Sequence, residues 1–261
     1  MKSLSIAATG MIAQQLNVEV ISNNIANMNT TGFKRQRAEF QDLLYQNLER
    51  MGAQTSDNGN IRPNGIQIGA GVKAGSVYRI GDQGNVVSTG NKYDVAIQGK
   101  GWFRVQLPTG EDAFTRAGSF ALSPEGQIVT PDGYIVQPGI SIPNTATDVT
   151  ISKSGQVQAT IAGQTAPQVV GQLELNTFPN EAGLEAIGDN LFIQSGASGQ
   201  PTAGNPNSTG FGSLLQGFLE TSNVNAVSEI TSLITAQRAY EMNAKVITAS
   251  DEMLQTTSNL R

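Results

Sequence analysis

The chain begins with MKSLSIAATGMIAQQLNVEVISNNIANMNTTGFKR (residues 1–35). Apolar side chains recur in this stretch every seven residues, at Leu4, Met11, Val18 and Ile25. This spacing keeps them on one face of an α-helix. Gly32 is suited to the left-handed backbone that commonly follows a helix end. We therefore predict a helix that ends near residues 27–29.

The other faces of this predicted helix are almost uncharged. Lys2 and Glu19 are the only charged side chains in residues 1–31, and asparagine, glutamine, serine and threonine fill the outward positions. Such a helix suits packing on most sides, since few charges would need to leave water. This is expected where copies of one subunit surround one another. A pair of core helices within one globular domain is the alternative explanation.

The opposite end of the chain carries a second helical pattern. Residues 225–261 contain neither glycine nor proline. Their apolar positions include Ile230, Leu233, Ile234, Tyr240, Ile247 and Leu254. Four of these, from Leu233 to Leu254, are again seven residues apart. Neither helix has enough apolar surface to be stable alone, so we predict that the two pair as a coiled coil.

The middle of the chain carries the signals of short strands and turns. Residues 102–107 alternate Phe103, Val105 and Leu107 with more polar neighbours, and Asp132-Gly133 suits a hairpin turn. Further strands are predicted at 86–87, 95–97, 128–129, 134–136, 157–161, 173–175 and 191–193. The predicted fold class is α+β, with the N- and C-terminal helices paired as a coiled coil and a mostly antiparallel all-β middle domain.

This pattern divides the chain into four parts. They are an N-terminal coiled-coil helix at 1–32 that pairs with 225–261, an extended arm or loop at 33–65, a β domain at 66–219, and a C-terminal coiled-coil helix at 220–261.

Composition excludes most enzyme chemistries. The 261 residues include no histidine and no cysteine, so the chain cannot form a Ser-His pair, a catalytic thiolate or a histidine–metal site. The net charge of −5 does not favour nucleic acid. The carboxylate pairs Glu111-Asp112 and Glu181 with Glu185 lie in polar turns that would not raise a pKa. We predict no catalytic, cofactor-binding or metal residues; a carboxylate enzyme and a free-standing β binding module are the alternatives.

Residues 22–35 stand out from this background. Four asparagines with Ser22, Thr30 and Thr31 crowd one helix end. Their amides and hydroxyls can satisfy the terminal carbonyls of the helix, or hydrogen-bond to a neighbouring chain without burying a charge. Physical reasoning alone leaves the cap and the interface equally open.

This segment resembles the signature of the flagellar rod and hook proteins. The matching positions are Ser22, Asn23, Asn24, Ile25, Ala26, Asn27, Thr30, Gly32, Phe33 and Lys34. The C-terminal end resembles the same family at residues 220–225, 233–234, 237–243 and 251–254. Two such motifs in the right order at opposite ends of the chain make the resemblance specific.

The resemblance implies a structural subunit and not an enzyme. Terminal helices would line an inner tube, and the β domain would form an outer layer. Length and further similar segments favour a subunit of the distal rod, which polymerises helically into the drive shaft that carries torque from motor to hook. A proximal rod protein of medium length is the alternative. Residues 33–64 resemble a segment that would stiffen the rod.

The implied partners are other copies of the chain, proximal rod proteins below and hook protein above, the surrounding peptidoglycan- and outer-membrane-ring proteins, and the flagellar export apparatus. The implied location is the basal body, reached by type III export without a cleaved signal peptide; residues 3–13 contain no solid apolar run of the kind a signal peptide needs. No cofactor is implied.

The assembly interface is predicted to include residues from both terminal motifs. They are Leu4, Met11, Val18, Asn23, Asn24, Ile25, Asn27, Thr30, Gly32, Phe33, Lys34, Ile230, Leu233, Gln237, Arg238, Tyr240, Ile247 and Leu254.

Overall fold

Two long helices occupy the ends of the chain in the computed structural model, which describes residues 2–49, 51, 64–162 and 166–259. Helix α1 is Lys2–Ala26 and helix α2 is Ala226–Asn259. At 1.5 Å per residue, α2 is roughly 50 Å long. Neither helix is apolar over a stretch long enough to span a membrane within the described ranges.

Twenty strands lie between the helices in the described part of the chain. The first four are β1 (Gln36–Asp42), β2 (Tyr45–Glu49), β3 (Ile66–Gly69) and β4 (Val72–Arg79). The next eight are β5 (Val86–Ser88), β6 (Val95–Gln98), β7 (Phe103–Gln106), β8 (Asp112–Thr115), β9 (Ala121–Leu122), β10 (Ile128–Val129), β11 (Ile135–Val136) and β12 (Ala146–Ile151). The last eight are β13 (Gln156–Ile161), β14 (Gln168–Gln172), β15 (Leu175–Thr177), β16 (Glu185–Gly188), β17 (Leu191–Ile193), β18 (Thr202–Gly204), β19 (Ser213–Gln216) and β20 (Phe218–Glu220). A 3-10 turn, Glu181–Gly183, precedes β16.

These elements form two compact units. The helical unit consists of Met1–Ile25, Gln36–Tyr78 and Ala226–Arg261, and the β unit consists of Ala26–Arg35 and Arg79–Asn225. The segments that follow α1 and precede α2 therefore pack with the β unit, whereas the sequence divided the chain at 65/66 and 219/220. The α+β class and the antiparallel β middle are confirmed.

The helical unit contains four strands in addition to the helices. β1 pairs with β4, and β2 pairs antiparallel with β3. The backbone amide of Val72 donates to Thr9 Oγ1 at 3.3 Å, which joins β4 to α1. The segment 33–65, expected as an arm or loop, thus contains paired strands; its residues 50 and 52–63 lie outside the described part of the chain.

The β unit is built from antiparallel pairs. Its main sheet has seven strands in the order β16-β17-β8-β7-β11-β10-β9. A three-stranded sheet follows the order β12-β13-β14, and the remaining strands pair as β15-β18, β19-β6 and β20-β5. The turn at Asp132-Gly133 joins β10 to β11, as the sequence predicts. The strand predicted at 173–175 lies at 175–177.

Two apolar clusters cover opposite faces of the main sheet around β7. Phe103 and Val105 are fully buried in the larger cluster, where Phe103 meets Phe120 edge to face at 5.0 Å. Trp102 points into the smaller cluster and meets Phe192 edge to face at 5.0 Å. The alternation predicted for residues 102–107 therefore separates two cores. Trp102, the single tryptophan of the chain, reports on the folding of the β unit.

Gly118 permits a very close approach between two segments of the β unit. Val95, the first residue of β6, donates its amide to the Gly118 carbonyl at 2.9 Å. A Cβ at position 118 would lie 1.8 Å from the Val95 carbonyl oxygen. Only glycine allows this contact without moving the backbone of β6, whose Val95 is completely buried.

Gly118→Ala is accordingly expected to destabilise the β unit by about 3 kcal/mol, at the upper end of the usual cost of overpacking. Urea denaturation followed by Trp102 fluorescence would measure the change. Gly196→Ala is the matched control, because nothing lies within 4 Å of a Cβ built there. An unchanged midpoint for Gly118→Ala would contradict the close contact.

Candidate assembly interface

Asn24 joins three parts of the helical unit. Its side chain is almost completely buried and forms a reciprocal pair with the backbone of Gln36, Nδ2 donating to the carbonyl and Oδ1 accepting from the amide, both at 2.8 Å. Nδ2 also donates to Glu229 Oε2 at 3.2 Å. One amide thus connects the end of α1 to the start of β1 and to the first turn of α2. Within the chain, this asparagine of the signature acts as a buried cross-link.

The signature continues as a tight turn of the β unit. Thr30 Oγ1 donates to Asn27 Oδ1 at 3.1 Å, and the Thr30 amide donates to the Asn27 carbonyl at 3.1 Å. Gly32 has a φ of +67°, and a Cβ there would lie 2.9 Å from the backbone nitrogen of Ala117. Its amide donates to the Glu220 carbonyl at 2.8 Å. The turn therefore requires glycine for both conformation and space.

Next to this turn, three buried charged side chains form what we call the charge anchor: Lys34, Arg116 and Glu220. Glu220 Oε1 lies 2.7 Å from Lys34 Nζ, and Glu220 Oε2 lies 2.7 Å from Arg116 Nε. Lys34 and Arg116 are 3% and 6% exposed, and Glu220 is 2% exposed. The anchor fastens the segment after α1 to the segment before α2, since Lys34 and Glu220 are 186 residues apart.

Backbone groups complete the hydrogen bonding of the anchor. Lys34 Nζ donates to the Asp82 carbonyl at 2.8 Å, and the Gly84 amide donates to Glu220 Oε1 at 3.0 Å. Arg116 Nη1 and Nη2 donate to the carbonyls of Gly101 and Gly99, each at 2.5 Å. A buried charge is tolerated when its polar atoms are paired in this way.

Asn223 provides a second connection at the same place. Its Oδ1 accepts from the Arg35 amide at 2.7 Å, and its Nδ2 donates to the carbonyls of Ile80 and Asp82 at 3.0 and 2.9 Å. The N-terminal and C-terminal motifs therefore meet on the β unit through side chains as well as backbone.

The electrostatics of the anchor favour an ionised Glu220. Burial by itself would raise the pKa of this carboxyl, but Arg116 and Lys34 attract its negative charge more strongly, so its pKa lies below the ordinary value of 4.5. A carboxyl whose pKa is lowered by folding stabilises the folded state fully above its unfolded pKa. That contribution is lost as the pH falls through the lower, folded pKa.

The β unit is therefore expected to lose stability steeply when the pH falls below about 4.5, because protonation of Glu220 leaves two buried cations without a counter-charge. Thermal midpoints of the wild type and Glu220→Gln between pH 7 and pH 3 would test this. The variant should start lower at pH 7 and fall less on acidification. Parallel curves would show that Glu220 does not titrate in the transition.

The two terminal helices pack against each other in an antiparallel arrangement. Ser3 and Ser250 hydroxyls lie 3.4 Å apart, Gly10 lies against Asn243, and Asn24 bonds to Glu229. These contacts recur at multiples of seven residues on each helix. A Cβ at Gly10 would lie 2.9 Å from Asn243 Nδ2, so the end of the Asn243 side chain occupies the space beside Gly10. These three contacts, which form the seam between the helices, thus join small and polar side chains.

The apolar stripes predicted from the sequence lie beside this seam and are only partly covered. Half-buried positions are Leu4, Met11, Val18, Ile25, Leu233, Ile247 and Leu254. Ile230 and Tyr240 are exposed, at 48% and 43%, and so are Gln237 and Arg238. In the N-terminal motif, Asn23 is exposed, Asn27, Thr30 and Phe33 are half-buried, and Asn24, Gly32 and Lys34 are buried. The predicted interface thus comprises internal cross-links, partly open apolar positions and exposed polar residues.

Val18 and Tyr240 from the two stripes line one groove between the helices. We call it the helix groove; its other lining residues are Gln15, Glu19, Gln237 and Glu241, and its volume is about 340 Å³. It has an apolar floor and two carboxylates at its rim. Within one chain it is open to solvent.

The residues that the sequence prediction missed are Arg116, Glu220 and Glu229. Glu220 and Glu229 lie in or next to the C-terminal motif, but nothing in their spacing indicates burial. The low content of charged residues, 14%, was the only general signal, and it does not single out these three positions. Among the described residues, no group of acidic side chains has the arrangement of a metal site.

Half-covered apolar stripes and buried links between the terminal motifs are the features expected of a structural subunit that assembles with other chains. Three family models match it: "Flagella basal body rod protein" at residues 4–34, "Flagellar hook protein FlgE/F/G D1 domain" at 96–159, and "Flagellar basal body rod FlgEFG protein C-terminal" at 215–260.

Curated relatives match the chain over its whole length. The flagellar basal-body rod protein FlgG of Caulobacter vibrioides is 66% identical over 261 residues, which cover all of both chains. FlgG of Agrobacterium fabrum is 54% identical over 258 residues, 99% of this chain and 98% of its own. FlgG of Buchnera aphidicola from Acyrthosiphon pisum is 47% identical over 258 residues, 99% of both chains. The chain belongs to the family of flagellar basal-body rod proteins.

Family membership confirms the predicted structural role in the flagellar distal rod and the prediction that the chain is not an enzyme. It places the protein in the flagellar basal body, where it assembles with copies of itself and with other basal-body components.

Proposed function

We propose that the chain polymerises helically through its paired terminal helices, so that the distal rod acts as a drive shaft carrying torque from the motor to the hook. The observation that supports this most directly is the half-coverage of the apolar stripes on both helices. An isolated chain leaves this apolar surface in water, and contact with neighbouring copies would bury it. Contacts between unlike patches repeat without closing, which is how a helical shaft grows.

The helices are proposed to pair as a coiled coil, residues 1–32 with 225–261. Contacts at multiples of seven residues between Ser3 and Ser250, Gly10 and Asn243, and Asn24 and Glu229 support this proposal. These contacts join small and polar side chains, and the half-covered apolar stripes lie beside them on the flanks. In the proposed assembly those flanks face other copies and line the inner tube.

The remaining interface residues are proposed to act in two ways. The half-buried stripes from Leu4 to Ile25 and from Leu233 to Leu254, with Ile230, Gln237, Arg238 and Tyr240, would contact other subunits directly. The buried members of the signature, Asn24, Gly32 and Lys34, would fix the chain segments from which the helices extend. The segment 33–65 is proposed to stiffen the rod, and the β domain at 66–219 to form its outer layer.

The specific partners are proposed from the family resemblance. They are proximal rod proteins below, hook protein above, and the peptidoglycan- and outer-membrane-ring proteins around the shaft. The flagellar type III apparatus would export the chain without cleaving a signal peptide. The low charge of α1, with Lys2 and Glu19 as its only charged residues, is compatible with a helix that is enclosed after export.

Electron microscopy of basal bodies from a strain lacking the gene tests the proposed position. We expect a ring complex with a short proximal rod and neither distal rod nor hook. Loss of the proximal rod as well would place the chain lower in the shaft. Intact filaments on the deletion strain would refute a role in the rod.

A further inference from the structure

An exposed apolar ridge runs along the C-terminal half of α2. Met242, Val246 and Met253 are 61%, 46% and 62% exposed. Their spacing of four and seven residues places them on one face of the helix. We call these three residues the methionine ridge. Thioether side chains are flexible and polarizable, so they fit irregular grooves well.

The methionine ridge and the helix groove lie on different flanks of α2. With 3.6 residues per turn, the ridge is roughly 170° around the helix from Gln237, Tyr240 and Glu241, which line the groove. The seam residues Ala236 and Ser250 lie between the two flanks. The ridge of one molecule therefore cannot enter its own groove, but it can enter the groove of another.

The two surfaces match in charge. The rim of the groove carries the carboxylates of Glu19 and Glu241, and none of the described residues that line the groove is a cation. Arg238 and Lys245, both exposed, lie within one turn of Met242, on the side of the ridge where Glu241 of the same helix is also one turn away. When Met242 and Val246 enter a groove on another copy, these cations approach its acidic rim. Opposite charges at the edge of an apolar contact favour one orientation over others.

The two surfaces also match in size. Met242 and Val246 are one turn apart, about 6 Å along the helix axis. The groove spans one turn of each helix, Gln15 to Glu19 on α1 and Gln237 to Glu241 on α2. Its 340 Å³ is about the volume of ten water molecules in the liquid, which is enough for two long side chains.

We propose that the methionine ridge of one subunit docks into the helix groove of a second copy of this chain, with Lys245 and Arg238 against the Glu19 and Glu241 rim. This inference rests on the proposed function and adds to it the pair of surfaces that carries one subunit contact. Because ridge and groove are different patches, the contact is heterologous and each added subunit presents a new free groove.

Disulfide cross-linking in assembled rods tests the contact, since the wild-type chain has no cysteine. Val18→Cys places a thiol in the groove and Met242→Cys places one on the ridge. Within one chain the two positions are about 10 Å apart along the axis and on different flanks, too far for a disulfide. After oxidation of isolated basal bodies, the double variant should give a ladder of dimers, trimers and larger species.

Each single-cysteine variant should remain monomeric on a non-reducing gel, and a co-expressed pair of single variants should stop at dimers. Val18→Cys with Val227→Cys is the matched control, because Val227 is 75% exposed and lies outside the ridge. A control ladder as strong as that of the test pair, or dimers from one single variant, would overturn the proposal.

A swimming assay distinguishes a failure of this inference from a failure of the proposed function. A double-cysteine strain that swims without giving a ladder would refute the docking and leave the rod function intact. A wild-type gene unable to restore swimming to the deletion strain would refute the function.

If the cysteines themselves prevent assembly, a charge reversal tests the docking instead. Lys245→Glu should abolish swimming, and Glu19→Lys in the same chain should restore it. Absence of restoration would overturn the docking.

Discussion

Glu220→Ala is expected to lower the free energy of unfolding of the β unit by about 3–5 kcal/mol, the usual cost of removing one member of a buried ion pair. The loss is large because a single carboxylate neutralises two buried cations, Lys34 and Arg116. Without it both remain in a site that is almost closed to water. The Gly84 amide also loses its acceptor, Glu220 Oε1.

Urea denaturation followed by Trp102 fluorescence would measure this loss in the full-length chain. Asp148→Ala is the matched control, because it also removes a carboxylate 2.6 Å from a cation, Lys92, but both side chains are at least half exposed. Exposed ion pairs contribute little, so its midpoint should not change measurably. Equal midpoints for the two variants would show that the anchor does not stabilise the fold.

A second comparison would show which part of the loss is electrostatic. Glu220→Gln keeps the shape of the side chain and one oxygen acceptor but removes the negative charge. If charge dominates, as the two close cations suggest, this variant should be almost as unstable as Glu220→Ala. Substantial recovery would indicate that packing and the Gly84 hydrogen bond carry most of the stabilisation.

The terminal helices and several strands could be predicted because their signals are local. Seven-residue apolar spacing from Leu4 to Ile25, and the alternation around Phe103, depend only on neighbours in sequence. Asp132-Gly133 likewise identified its hairpin because the turn itself requires those residue types. The family resemblance depended on short motifs, which sequence alone also reveals.

The interior of the site could not be predicted, because its contacts join residues far apart in the chain. Lys34 and Glu220 are separated by 186 residues, and no periodicity relates them to Arg116. The apolar pattern also did not predict the helix–helix contacts at Gly10 and Ser250, because small and polar side chains make them. The apolar stripes lie beside these contacts and are half-buried or exposed.

The strand pairing of the segment 33–65 could not be predicted for a similar reason. β2 is exposed throughout, and β1 alternates half-buried with exposed residues but has only two apolar side chains, Ala38 and Phe40, on its half-buried face. Their pairing partners, β4 and β3, lie further along the chain. The division into units at 78/79 and 225/226 follows from such long-range contacts.

Leu233→Asp is expected to abolish swimming and to leave the β unit fully stable. Leu233 is half-buried beside the seam and belongs to the stripe that the proposed assembly covers with other copies. Burying a carboxylate in an apolar contact without a partner is costly, and in a homopolymer every subunit carries the same cost. The substitution should therefore prevent assembly while the helix itself keeps its local structure.

Three measurements define this result: swimming in soft agar, electron microscopy of basal bodies, and the urea midpoint reported by Trp102. Ile187→Asp is the matched control, because Ile187 is an apolar residue 45% exposed in the β unit, outside both helices. Control cells should swim and show complete rods. The Leu233→Asp strain should lack the distal rod, yet its purified chain should have the wild-type midpoint. Normal swimming by that strain would exclude Leu233 from the interface, and a lowered midpoint would mean that the residue supports the fold of the chain itself.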